Sequence, residues 1–225
     1  MIKRKLLRRM ECYLMAGMIV VGFSGGRAMA LDNDPVKHGA KGDGYICRHG
    51  YHTYGDYYLK VGGKRAGSKP CFISADFPDR YELRITSAIN VWNNQFENKG
   101  ISGYIRLSKI SDSSVAAIKF KPGYNGSNVY ARTIYFDQGN KMQQKDEGKK
   151  LDGIYTSCVI QVNTSITDSQ KVKRTAVHEL GHALGLSHRN CVKSIMFWAS
   201  VDAGISVVPD SNAVAAVKHI YTAVC

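Results

Sequence analysis

Residues 178–188 read H-E-L-G-H-A-L-G-L-S-H, and the rest of the chain is best read outward from them. His178 and His182 are four apart, so on a helix they share one face and can both offer a ring nitrogen to a single metal ion. Glu179 adjoins the first of them and points to the same open side, where an attacking water would sit, which makes it the natural general base. A helix carried on past His182 would take residue 188 away from that point, so the chain must turn sharply. Gly185 can adopt a left-handed conformation there without steric cost. The turn brings His188 back as a third ligand, and three imidazoles with a water complete the tetrahedral shell of one catalytic Zn2+. A bare H-E-x-x-H arises by chance on ordinary amphipathic helices; the added glycine and third histidine sit at offsets that make sense only if the helix ends and the chain returns.

The same segment resembles the zinc signature of the metzincin metalloproteases. Ser194-Ile195-Met196-Phe197 resembles their Met-turn, in which a methionine lies beneath the histidines as an apolar floor. By that resemblance Met196 is the floor residue, although a lone methionine would read as plain core filling. Within the metzincins the likeness is closest to the matrixins, especially small secreted bacterial matrixin-like proteins. It runs from about Phe72 to the C-terminus and is strongest over residues 175–197. Trp198 stands where astacin-like and serralysin-like members carry a further tyrosine ligand. Arg189 after the third histidine, and Ser211, Asn212 and Ala213 in the last helix, also depart from the family pattern.

The resemblance implies an α/β (α+β) fold: a metzincin-like zincin catalytic domain with a twisted mixed sheet packed on two helices, plus a C-terminal helix. It implies an endopeptidase in which zinc polarises the scissile carbonyl while Glu179 takes a proton from the activated water and passes it to the leaving amine. An extended protein or peptide substrate would lie antiparallel to an edge strand within residues 129–136. Trp198, Val201 and Ile205 would wall the pocket for the side chain just beyond the cut. Two other classes share parts of this pattern. A zinc amidase acting on cell-wall peptides uses the same metal chemistry, and a binding protein on an inherited metalloprotease fold would be marked by a lost glutamate or ligand, all of which are present here.

The first 30 residues read as an export signal. Lys3, Arg4, Lys5, Arg8 and Arg9 form a basic start, residues 13–23 are a short apolar run, and Ala28-Met29-Ala30 fits a small-x-small cleavage pattern. The run is too short to span a bilayer. Leu31 is therefore the expected mature start, with a neighbouring site as the alternative, and the expected location is extracellular. The chain carries 31 Lys and Arg against 18 Asp and Glu; the leader removes six and one of these, leaving a net charge of about +8. A secreted protein this basic is attracted to anionic cell-surface polymers or acidic substrates. No nucleic-acid-binding pattern is present, no membrane span remains after cleavage, and a monomer is expected.

Residues 31–70 are rich in Gly, Tyr, Lys and His with little periodicity, and read as a propeptide, a loose extension or an added hairpin near residues 57–61; the catalytic domain is expected over 71–225. His38, His49 and His52 lack the carboxylate spacing of a second metal site. Helices are expected over 80–98, where Ile85, Ile89, Trp92 and Phe96 form one stripe, from Thr167 or Asp168 to Gly185, and over 211–223. Strands are expected over 101–109, 115–120, 129–136 and 158–163. The polar loop 137–155 could carry calcium through Asp137, Asp146 or Asp152, although the ligand spacing is missing. Cys47, Cys71, Cys158, Cys191 and Cys225 remain after the leader, an odd number in an oxidising compartment. Cys158 and Cys191 flank the zinc helix, and a bridge between them is the expected brace.

Overall fold

The apolar stripe of residues 80–98 becomes helix α1, Asp79–Asn98. Ile85, Ile89, Trp92 and Phe96 are all buried on one face, joined by Tyr81 and Ala88. Steps of three and four place these side chains within one stripe, and beside it the Asn93 side chain bonds the carbonyl and N–H of Leu107 at 2.8 and 2.9 Å. Gly100, at φ 64°, closes the helix: its N–H and that of Ile101 return to the carbonyls of Glu97 and Phe96.

The computed structural model describes residues 45–46, 52–53, 58–123, 129–138, 140–141, 154–186, 188, 193–197, 200–202 and 206–222. Eight strands are present among them: β1 Tyr45–Ile46, β2 His52–Thr53, β3 Gly67–Ile73, β4 Ile105–Ile110, β5 Ile118–Pro122, β6 Ala131–Asp137, β7 Asn140–Lys141 and β8 Ser157–Val162. β1 and β2 form a small antiparallel pair. The other six make one mixed sheet in the order β4-β3-β5-β8-β6-β7. Its first four strands run parallel, while β6 lies antiparallel to β8 and β7 touches only the end of β6. Every second residue points inward, so Cys71 and Ile73, Ile118 and Phe120, Thr133 and Tyr135, and Cys158, Ile160 and Val162 are buried.

That inner face is covered by helix α2, Ser169–Ala183, which packs on β6 and β8, and by α1, which packs on β4 and α2. The final helix α3, Ser211–Thr222, buries Val214, Val217 and Tyr221 as its spacing predicts. The expected twisted mixed sheet on two helices, with a third at the C-terminal side, is the observed architecture. Two side chains lock the helices in place. Trp92 Nε1 donates to the Val177 carbonyl of α2 at 3.0 Å, and the Tyr81 hydroxyl donates to the Ile166 carbonyl at 2.6 Å, just before α2 begins. Among the described residues no helix is long and apolar enough to cross a membrane.

The sequence pattern does not announce β3, which crosses the expected boundary at residue 71. Its sequence, G-S-K-P-C-F-I, puts a lysine and a proline where a strand should be apolar. The geometry accommodates both. Pairing with β5 begins only at Cys71, so the missing N–H of Pro70 breaks no bond on that side, while its carbonyl accepts the Ala117 N–H at 3.0 Å. Lys69 is fully buried, its ammonium donating to the Arg65 carbonyl at 2.7 Å and lying 5.2 Å from the Tyr221 ring centroid. Residues 58–65 join the same core. Leu59 is fully buried, and the Lys60 N–H reaches the Tyr155 carbonyl at 2.9 Å. The hairpin expected near 57–61 is a tight turn slightly later, where Val61 and Lys64 exchange two backbone bonds around Gly62 and Gly63, both at positive φ.

The cysteine expectation needs correction. Cys158 is a free, buried thiol on the inner face of β8, under the zinc helix, so it forms no bridge to Cys191. Cys71 is likewise free and buried, two strands further on, with Ile118 of β5 paired between them. Burial pushes both thiols well above their usual range, and the pair behaves as small apolar core residues. Cys47, Cys191 and Cys225 lie outside the described residues, as do His38, His49, Asp146, Asp152, Trp198 and Ile205. Asp137 ends β6, and the only group of three or more metal-capable side chains among the described residues is His178, His182 and His188.

Candidate active site

Helix α2 starts because Asp168 caps it. The carboxylate accepts the N–H groups of Gln170 at 2.7 Å and Lys171 at 3.3 Å, satisfying two donors that the helix itself leaves open. It stops at Gly185, whose φ is 97°. The Gly185 N–H returns to the His182 carbonyl and the Leu186 N–H to the Gly181 carbonyl, at 2.9 and 3.0 Å, the paired bonds of a Schellman turn. The last carbonyls find further donors in two tyrosines: Tyr135 of β6 bonds that of His182 at 3.2 Å, and Tyr155, just before β8, that of Ala183 at 2.6 Å. Both ends of the helix are thereby fixed, and with them the histidines it carries.

The break does what the spacing requires. His188 returns so that its Nε2 lies 3.3 Å from that of His178 and 3.2 Å from that of His182, which are themselves 3.0 Å apart. The opposite nitrogens are held by backbone: His178 Nδ1 is 2.6 Å from the Ile195 carbonyl and 3.2 Å from Ser200 Oγ, and His182 Nδ1 is 2.8 Å from the Leu186 carbonyl. A carbonyl can only accept, so each Nδ1 carries the proton and each Nε2 presents a lone pair. Burial, and next the neighbouring His182, pull His178 down to about 3; burial and then His188 do the same for His182. Three ring nitrogens converging at this distance are the arrangement that one cation held between them would use. The donor set therefore fits a zinc ion.

Glu179 lies beside this point, only 6% exposed. Its Oε2 accepts a 2.5 Å bond from Thr133 Oγ1 of β6. Met196 is fully buried against Gly181; a Cβ at that glycine would overlap Met196 Sδ and approach its Cε to 3.1 Å. The sequence marks the methionine but not the glycine or Thr133. Threonine is so common in strands that its inward register beside Tyr135 is the only available signal.

Beyond the Met-turn, Val201 is buried and its carbonyl accepts from Arg174 of α2 at 2.9 Å. Asp202 receives the Tyr130 hydroxyl at 2.7 Å and Lys171 at 2.9 Å. Those two hydrogen bonds, Tyr130 first, hold its carboxyl below the usual range. This segment is thus tied both to α2 and to the start of β6. On its outer side β6 is paired only at Phe136 and Asp137, so residues 131–135 form an open edge among the described residues.

The matrixin family model matches residues 95–222. No curated protein matches the chain by sequence. Among solved structures, the chain is similar to high choriolytic enzyme 1, a hatching enzyme zinc-protease from the medaka fish Oryzias latipes, with 11% identity over 74% of this chain and 95% of that one, and a TM-score of 0.45. It is also similar to archaemetzincin from Methanopyrus kandleri, with 10% identity over 71% of this chain and 97% of that one, and a TM-score of 0.41.

Proposed function

The chain belongs to the matrixin family of zinc metalloproteases, and on that premise we propose that it is a secreted zinc endopeptidase in which His178, His182 and His188 hold the metal and Glu179 is the general base. The observation that carries this reading is the convergence of three Nε2 atoms within 3.3 Å of one another beside a buried carboxylate. When bound, zinc supplies Lewis-acid polarisation of the scissile carbonyl and acidifies water toward a pKa of about 7. The protein supplies the rest. Glu179 takes the proton of the attacking water and delivers it to the departing amine. The open edge of β6 offers backbone donors and acceptors to an extended peptide, and Val201 walls the pocket beyond the cut. Residues 1–30 direct export, residues beyond them precede the catalytic domain, and the basic surface favours acidic partners outside the cell.

The test is digestion of a denatured protein, with and without a chelator, with cleavage sites read by mass spectrometry. Internal cleavage that the chelator abolishes and zinc restores is expected. Glu179→Gln should keep its zinc and lose activity by about a hundredfold or more, the usual scale for losing a general base. Release of stem peptides from cell walls with no protein cleavage would point to an amidase, and zinc binding with neither activity to a binding protein.

A further inference from the structure

We infer that Thr133 is a positioning residue for Glu179, and that through it the strand carrying the substrate edge also sets the direction of the base. The inference rests on the assignment of Glu179 as the general base. Thr133 is 4% exposed and lies in the middle of β6, paired with Ile160 of β8. Its side chain points inward, under α2, where a hydroxyl must find a partner or lose the hydration it had in water. Two acceptors of Glu179 are near: Oε2 at 2.5 Å and the backbone carbonyl at 3.4 Å. A hydroxyl has one hydrogen, and the short contact claims it. A short bond from a neutral donor to a carboxylate is among the stronger hydrogen bonds a protein makes.

The consequence concerns direction. Among the described residues no donor reaches Oε1 of Glu179, so one oxygen is tethered and the other stays open. A carboxylate free to rotate would spend part of its time with neither oxygen aimed at the attacking water; a tethered one is fixed before substrate arrives, and such pre-orientation contributes to the rate of the chemical step. Thr133 belongs to the same five residues, 131–135, whose outer edge is unpaired among the described residues. A peptide added along that edge is registered against the strand whose inward side chain holds the base. The placement of the scissile bond and the direction of the proton acceptor then share one rigid element, and neither depends on a loop. A threonine whose only task is to fill the core would affect folding and zinc binding; one that aims Glu179 affects turnover.

The experiment compares Thr133→Val, which keeps shape and removes the hydroxyl, with Thr133→Ser, which keeps the hydroxyl, each assayed for kcat, KM, zinc content and melting temperature beside wild type and Glu179→Gln. Thr133→Val should lower kcat about tenfold or more while KM moves less than about twofold, with one zinc still bound. Thr133→Ser should restore kcat to within about threefold of wild type. If Thr133→Val melts early, Thr133→Ala takes its place and the same loss in kcat is expected of it. A wild-type kcat in the Val and Ala variants, a change confined to KM, or a Ser variant as slow as Val would overturn the inference while leaving an inactive Glu179→Gln to support the base assignment. An active, zinc-loaded Glu179→Gln would overturn both.

Discussion

The end of α2 and the middle of β3 both bury groups that carry charge in water, and only the first is built as a site. At the end of α2, His178 and His182 are buried and pulled down to about 3. On β3, Lys69 is buried and pulled down to about 8. Burial is the leading cause in both, so a perturbed pKa does not distinguish them. The arrangement of donors and acceptors does. Lys69 ends on the Arg65 carbonyl and over the Tyr221 ring, donor against acceptors, fastening β3 to α3 and to residues 58–65. The histidines spend their donors on backbone carbonyls and aim their lone pairs at one another. Three ring nitrogens converging on one point fit a cation; a donor met by backbone is an anchor.

The strongest way to break this contrast is to remove one acceptor. His182→Ala should abolish stoichiometric zinc binding, from about one ion per chain to a small fraction, because two imidazoles do not close a tetrahedral site. Metal analysis of the purified variant beside wild type decides it. Equal zinc in both would mean that the three Nε2 atoms meet for another reason.

A smaller effect is expected where the geometry is disturbed and the ligands are left intact. Gly185→Val puts a β-branched residue at φ 97°, a conformation such a side chain strongly resists. The Schellman turn should open, and it carries both the return to His188 and the Leu186 carbonyl that orients His182. Losing such orienting contacts typically costs about 10- to 100-fold in metal affinity. Competition titration with a chelator should show that loss while the melting temperature of the metal-free protein changes less. Wild-type affinity would show that the helix break is not what brings His188 to the cluster.

The two regions were unequally legible in the sequence. The zinc segment combines residue type, spacing and a glycine with a defined backbone task, so the three-histidine group and the turn at Gly185 could be named before any fold was known, with Glu179 as the candidate base. Helix stripes were equally readable because Ile85, Ile89, Trp92 and Phe96 repeat with the helical period. β3 was not, since Lys69 and Pro70 contradict the pattern of a buried strand, and what reconciles them, a carbonyl at residue 65 and a ring at residue 221, is close only in the folded chain. Thr133 and Gly181 were missed for the same reason: each takes its meaning from a contact partner, Glu179 or Met196, that lies far along the sequence. The supposed bridge at Cys158 failed because flanking a helix in sequence says nothing about which face of a strand a thiol occupies.

Lys69 offers a way to sharpen the contrast by pH. Its ordinary pKa of 10.5 falls to about 8 in the folded protein. Between those values the unfolded chain holds a proton that the folded one has released, so raising the pH through this window favours folding. Below it the folded protein carries the full cost of a buried ammonium, and above it none. Wild type should therefore gain melting temperature between about pH 8 and 10, and Lys69→Met should lose that slope while melting a few degrees higher at pH 7, since apolar replacement of a buried charge is often stabilising. Zinc content should be unchanged. Parallel pH curves for the two proteins would mean that Lys69 is solvated in solution and is no anchor.

The smallest effect is expected at Met196, packed against α2. Met196 is fully buried and fills the space that Gly181, between His178 and His182 in sequence, leaves open, with the Trp92 ring close by. Volume and apolarity are the properties needed there, and leucine supplies both. Met196→Leu should therefore cost under about 1.5 kcal/mol of stability and leave zinc stoichiometry intact, the usual outcome of a volume-conserving core swap. Gly181→Ala changes the same contact from the other side and should cost more, because its Cβ would occupy the place of the sulfur and the α2 backbone cannot retreat while the Trp92 indole bonds Val177. Denaturant melts and zinc titrations of both variants measure the order. If Met196→Leu loses zinc affinity as Gly185→Val is expected to, the thioether acts on the histidines electronically, and Met196 would have to be counted with the ligands.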